Sequence, residues 1–97
     1  MIGNRINEFE KHSVRFKSKL AYKVARMCFI FLYVLDYEFL SCKDIVDMFP
    51  KIYGNRYNDK LNGKFIGQVM RFYKPFFNTK NKYTHDNRRV IVYIRSK

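Results

Sequence analysis

The sequence predicts an α+β fold, mainly α: three helices followed by a C-terminal β-hairpin. Three observations carry that prediction. Apolar residues recur every three to four positions over residues 13–36 and again over 61–74. Residues 89–95, Arg-Val-Ile-Val-Tyr-Ile-Arg, alternate with period two. At 97 residues the chain makes a single domain. Its content of 47% hydrophobic and 19% aromatic residues is enough for a modest core and rules out a chain disordered by composition.

Residues 1–12 are polar, with Ile2, Ile6 and Phe9 spaced by four and three. They read as a short helix or a frayed arm, and are assigned as an N-terminal arm preceding a domain over 13–97. Arg5 and Lys11 are offset by Glu8 and Glu10, so no function is assigned there. Residues 13–36 give the strongest helix. Ser13 is its candidate cap, and Phe16, Leu20, Val24, Met27 or Cys28, Phe31 and Leu35 form one apolar stripe. Arg15, Lys19, Lys23 and Arg26 form a second, basic stripe. The C-terminal half is apolar nearly all round, which marks either the centre of the fold or a homodimer contact through Phe29, Ile30 and Tyr33.

Residues 37–40 read as a short strand. Ser41-Cys42-Lys43-Asp44 is a capping box opening a short helix with Ile45, Val46, Met48 and Phe49, which Pro50 is expected to stop. Gly54-Asn55 and Asn58-Asp59 mark turns. In the helix over 61–74, Leu61, Phe65 or Ile66, Val69, Met70 and Tyr73 make the apolar face. Lys60, Lys64, Gln68, Arg71 and Lys74 make the opposite one. Gly63 and Gly67 each cost about 1 kcal/mol of helix propensity relative to Ala and leave room for a close backbone approach. Pro75 ends the helix. Phe76-Phe77 begins a strand, 78–88 reads as a polar loop, and 89–95 returns as the second strand.

Charge is segregated along the chain. The formal net charge is +12, and the last 38 residues hold ten of the twenty Lys and Arg with one acid, Asp86. Residues 36–59 carry an excess of acids. A basic helix followed by a basic hairpin suits a polyanion, with some side chains entering a groove and others holding phosphates. Cys28 and Cys42 make no disulfide framework and read as two ordinary thiols, with a bridge between them as the minor alternative. Cys42 lies at a helix start, where a thiol pKa is open to lowering. No catalytic constellation, metal-ligand spacing or glycine-rich phosphate loop is present. Neither an enzymatic activity nor a cofactor, metal or small-molecule substrate is therefore expected. The N-terminus is polar through Lys19 and the longest apolar run, 27–35, is nine residues. A membrane span needs about 20 residues, so a cytoplasmic, nucleoid-associated location is expected, or the host interior if the chain is viral. Abundant Asn, Lys, Tyr, Phe and Ile with few Ala, Gly and Pro resembles the bias of AT-rich viral and archaeal genomes.

The order helix, short strand, capped helix, turn, basic amphipathic helix and hairpin resembles the winged helix-turn-helix family over roughly residues 19–95. Lys64-Phe65-Ile66-Gly67-Gln68-Val69-Met70-Arg71-Phe72-Tyr73 looks like its recognition helix, and residues 88–94 like the returning strand of its wing. The connection over 51–60 is longer than the tight turn of a minimal helix-turn-helix. The resemblance implies a DNA-binding protein acting as a transcriptional regulator, with the 61–74 helix in the major groove and the 76–95 hairpin on the backbone or in the minor groove. It implies base contacts from Lys64, Gln68 and Arg71. Arg suits guanine O6/N7 and Gln suits adenine N6/N7. Lys60, Lys74, Lys80, Lys82, Arg88 and Arg89 are assigned to phosphates, with Ser41 and Lys43 adding N–H groups and charge at a helix start. Tyr83 and Tyr93 pack on the sheet or stack on bases. The competing functions are a non-specific architectural or RNA-binding winged helix, a protein-interaction module of that fold class, and a membrane-surface protein using the basic face of 13–36.

Overall fold

The computed structural model describes residues 2–96. It is mainly helical, with a small three-stranded antiparallel sheet. The elements in order are α1 (Ile2–Ser13), α2 (Lys19–Phe29), β1 (Leu40–Ser41), α3 (Cys42–Tyr53), α4 (Gly63–Phe72), β2 (Phe77–Tyr83) and β3 (Arg89–Arg95). A π turn, Ile30–Val34, continues α2, and a 3-10 segment, Asn55–Lys60, joins α3 to α4. The strands lie in the order β1-β3-β2. Leu40 pairs with Tyr93, and Phe77 through Tyr83 pair with Arg95 back to Arg89.

The N-terminal segment is not an arm. It is a helix that contributes Phe9, 2% exposed, to the core. The Phe9 ring stacks on Tyr73 at 5.0 Å and meets Phe29 at 4.8 Å and Phe76 at 5.5 Å. Arg5, on the same helix, lies 4.7 Å from the centre of the Phe76 ring and donates to the Pro75 carbonyl and the Tyr33 hydroxyl. The spacing of Ile2, Ile6 and Phe9 is that of a helix, and one large aromatic suffices to dock it.

Ser13 ends α1 rather than capping the next helix. Its hydroxyl donates to the Phe9 carbonyl and accepts from the Tyr73 hydroxyl, so it is sealed in the core. The cap of α2 is Ser18, which has an extended backbone and whose hydroxyl oxygen accepts the Ala21 N–H. Phe16 belongs to the intervening turn and packs edge-on against Phe72 at 4.4 Å. The apolar stripe then changes phase at the π turn, which adds a residue to one helical turn. Leu32 is fully buried while Leu35, expected inside, is 53% exposed. Phe29 is buried and stacks on Tyr33 at 4.5 Å, and the Tyr33 hydroxyl donates to the Phe76 carbonyl. Two of the three residues offered for a dimer contact are thus used inside the chain.

The capping box of α3 forms as expected. Asp44 N–H donates to Ser41 Oγ and Ser41 N–H to the Asp44 carboxylate, each at 3.0 Å. The helix does not stop at Pro50 but runs on to Tyr53, where Gly54 turns the chain with φ +82°. Proline in a helix interior costs about 3 kcal/mol. Here the last turn is held by Phe49, fully buried, and by its contact with Tyr53 at 4.7 Å. The expected loop over 78–88 is mostly strand, and only Thr84 to Arg88 turn. Tyr73, Phe76 and Phe77 close the core where α4 gives way to the hairpin.

Both cysteines are free. Burial pushes the Cys28 thiol up to about 12 and raises Cys42 as well. The lowering considered for Cys42 at its helix start is therefore not what the structure gives, because desolvation dominates.

Two substitutions separate a docked α1 from an arm. Phe9→Ala should lower unfolding free energy by about 3–5 kcal/mol in a urea titration. Ile6→Ala, at a 39% exposed position of the same helix, should cost less than about 1 kcal/mol.

Candidate nucleic-acid interface

Helix α4 starts at Asn62, whose side-chain oxygen accepts the Phe65 N–H at 2.9 Å. Ile66, Val69 and Met70 are buried against the body, chiefly against α2. That burial fixes the rotation of the helix and leaves Lys64, Gln68 and Arg71 exposed on its other side. Lys60 and Lys74 are exposed just before and just after it. No acid lies in α4. Among the described residues Lys60, Lys64, Arg71, Lys74, Lys80 and Arg89 form no ion pair.

Two clefts flank this row. One, about 400 Å³, is bordered by Lys60, Lys64 and Gln68 and floored by Leu20, Tyr57 and Phe65. The other, about 360 Å³, lies between α4 and the hairpin. Gly67, Arg71 and Lys74 form one wall, and Thr79, Ile91 and Tyr93 the other. The row is thus divided, with Lys64 and Gln68 on one side and Arg71 on the hairpin side. Among the described residues, no backbone from outside α4 presses on Gly63 or Gly67. A Cβ on Gly63 would meet only Cys42 Sγ at 3.7 Å, and one on Gly67 would meet nothing within 4 Å.

The remaining assigned residues divide by strand register. Lys80 faces with Val92 and Lys82 with Val90, on the side of the sheet opposite Thr79, Ile91 and Tyr93. They do not join the α4 cleft. Lys82 Nζ lies 4.2 Å from the centre of the Phe39 ring and 3.7 Å from a Glu38 oxygen. It covers an apolar ring with its charge partly answered. Arg89 shares the face of Ile91 and borders a shallow cleft of about 580 Å³ with Ser41 and Lys43. The Ser41 N–H is spent on Asp44, so it is not available to a phosphate. Lys43 pairs with Asp47 at 3.2 Å and Arg88 with Asp86 at 3.1 Å. The Lys43–Asp47 and Arg88–Asp86 pairs are exposed and weak.

The tip of the hairpin is a closed turn. Thr84 N–H donates to the Arg88 carbonyl, Arg88 N–H to Thr84 Oγ1, and Thr84 Oγ1 to the Asp86 carboxylate. Asn87 supplies the left-handed residue at φ 61°. The Thr84 hydroxyl, with the Asp86 backbone N–H, holds the Asp86 carboxyl below the usual carboxylate range. Tyr83, 69% exposed, stands at the base of this turn. Tyr93 is half-buried in the cleft, and that burial raises its phenol.

Sequence reasoning did not identify Tyr57, Phe65, Thr79 or Ile91 as interface residues. Alternation along 89–95 already pairs Ile91 with Tyr93 on one face. Nothing in sequence brings Tyr57 to Leu20. Among the described residues no group of three His, Cys, Asp or Glu side chains is placed to hold a metal, and no helix is long and apolar enough to cross a membrane. Comparison with protein-family models, with curated proteins and with solved structures finds no match.

The depressed Asp86 pKa gives the turn an acid limit. Its contribution is whole above the unfolded-state pKa and is lost as pH falls through the lower folded value. Protection of the Thr84 and Arg88 amides from hydrogen exchange should be flat at neutral pH. It should fall below about pH 4, while protection of buried α4 amides persists.

Proposed function

We propose that the protein is a winged helix-turn-helix DNA-binding protein acting as a transcriptional regulator, with α4 in the major groove and the β2–β3 hairpin on the adjoining backbone or minor groove. The observation that carries this reading is the outward row Lys64, Gln68 and Arg71. It is flanked by Lys60 and Lys74 and, among the described residues, is paired with no carboxylate, on a helix whose opposite side is locked in the core. A helix with side chains is about 10–12 Å across and the major groove about 12 Å wide, so α4 fits it. The succession α2, β1, α3, α4, β2, β3 with strand order β1-β3-β2 supports the winged-helix assignment. Helix α1 is then an addition that braces the module.

In this arrangement Lys64, Gln68 and Arg71 read base edges. The unpaired Lys60, Lys74 and Arg89 take phosphates on the same side. Lys80, on the outer face of the hairpin, acts through its charge at longer range, and Lys43, Lys82 and Arg88 do so less because acids answer them. Ser41 serves the fold. Phosphate contacts make binding steeply salt-dependent, with a slope of about −0.9 in log K against log salt for each phosphate neutralised.

Selection from random duplexes at near-physiological salt should enrich a motif. Against the enriched duplex, Arg71→Ala should cost about 1–3 kcal/mol and relax preference at one position. Lys74→Ala should weaken enriched and random duplexes alike and reduce the salt slope by about 1. If Arg71→Ala keeps both affinity and preference in gel-shift competition, α4 does not read bases.

A further inference from the structure

Away from α4, two cations converge on one aromatic ring. Lys23 Nζ, from α2, lies 5.2 Å from the centre of the Tyr57 ring and 5.6 Å from that of Tyr53. Arg56 Cζ, from the 3-10 segment, lies 5.7 Å from the Tyr57 centre. Neither cation has an ion-pair partner among the described residues, and Asp59, the carboxylate of that 3-10 segment, forms none either. Like charges gathered at one ring repel unless an anion joins them. The ring holds both in place through cation–π attraction and so pre-organises them. Tyr57 also floors the cleft that Lys60 and Lys64 border. The cluster is therefore joined to the α4 row through a shared side chain.

We propose that Lys23 and Arg56, seated on Tyr57, form a second sugar-phosphate contact for the same duplex, extending the footprint of α4 past the α3–α4 connection and onto α2. This rests on the DNA-binding reading above and adds residues which that reading does not use. The long α3–α4 connection then has a role. Six residues of 3-10 structure carry both Arg56 and Lys60, four positions apart or about one and a third turns. Charge complementarity selects the partner, because the surface from Lys23 through Arg56, Lys60 and Lys64 offers cations and aromatic rings with one carboxylate among them.

The test is the salt dependence of binding to a duplex of about 20 base pairs. That is longer than the roughly 12 base pairs spanned by the 41 Å longest axis at about 3.4 Å each. Wild type is compared with Lys23→Gln/Arg56→Gln, with Lys64→Gln/Arg71→Gln, and with Lys11→Gln/Arg15→Gln, which removes equal charge from exposed sites elsewhere. Matching thermal midpoints establish that each variant folds. Lys23→Gln/Arg56→Gln should flatten the log–log salt slope by about 1.8, and Lys11→Gln/Arg15→Gln by far less. An unchanged slope for Lys23→Gln/Arg56→Gln, or an equal flattening in the Lys11/Arg15 control, overturns the second contact. If Lys64→Gln/Arg71→Gln has no effect while Lys23→Gln/Arg56→Gln does, the α4 reading fails and the second contact stands. A wild type that binds single strands or RNA but no duplex overturns both.

Discussion

The geometry of the molecule depends on the knot of aromatic side chains around Tyr73. This residue ends α4, is fully buried, stacks on Phe9 of α1, and sends its hydroxyl to Ser13, which is itself bonded to the Phe9 carbonyl. The turn after it is held from two sides. Arg5 reaches the Pro75 carbonyl and Tyr33 reaches that of Phe76. The backbone closes it with Phe76 and Phe77 N–H groups on the Tyr73 carbonyl. This turn sets the angle between α4 and the hairpin, and with it the width of the cleft between Arg71 and Ile91. A small fold has few ways to fix such an angle. Here the first and second helices clamp the joint, so the exposed elements need make no contact of their own to stay aligned.

Charge is distributed by a similar economy. The acids of this strongly basic chain are mostly occupied at its margins. Glu38 answers Lys82, Asp36 answers Arg95, Asp86 answers Arg88, and Asp44 is consumed by the capping box. Among the described residues the cations without an ion pair fall mainly in two groups, Lys11 to Arg26 on the first two helices and their connection, and Arg56 to Lys74 on α4 and the segment before it. A residue's sign in the sequence was therefore a poor guide to its availability. Lys82 and Lys74 look alike in the sequence, yet one lies over Phe39 beside a carboxylate and the other stands exposed without an ion-pair partner.

Much of the architecture was legible because it derives from local rules. The Ser41–Asp44 capping box, the buried side of α4 and the alternation along β3 each involve residues within a few positions of one another. The features that were missed depended on distant partners. Phe9 signals a helix, but its docking needs Tyr73 and Phe76 to be in place. Pro50 ends an isolated helix, but not one whose last turn is pinned by Phe49 and Tyr53. Ser13 reads as the cap of the second helix, but Tyr73 engages its hydroxyl and Ser18 takes that place. At the candidate interface, the exposure of Lys64, Gln68 and Arg71 came from helical periodicity. The outward turn of Lys80 and Lys82 came from a strand register that the polar composition of 78–83 concealed.

The π turn after α2 has a bearing on how this chain tolerates changes in length. Its extra residue moves Leu32 inward and turns Val34 and Leu35 to solvent. It also sets the phase with which the chain reaches Asp36, in the left-handed region, and then Leu40 beside Tyr93. Removing one residue there would restore regular winding and swing the downstream chain by about 100°. Leu40 would lose its place against the sheet and α3 its fixed starting point. Residues 30–34 thus carry two constraints, a count that sets the downstream phase and the contacts of Leu32 and Tyr33, which leaves Val34 open to substitution and the stretch as a whole intolerant of deletion.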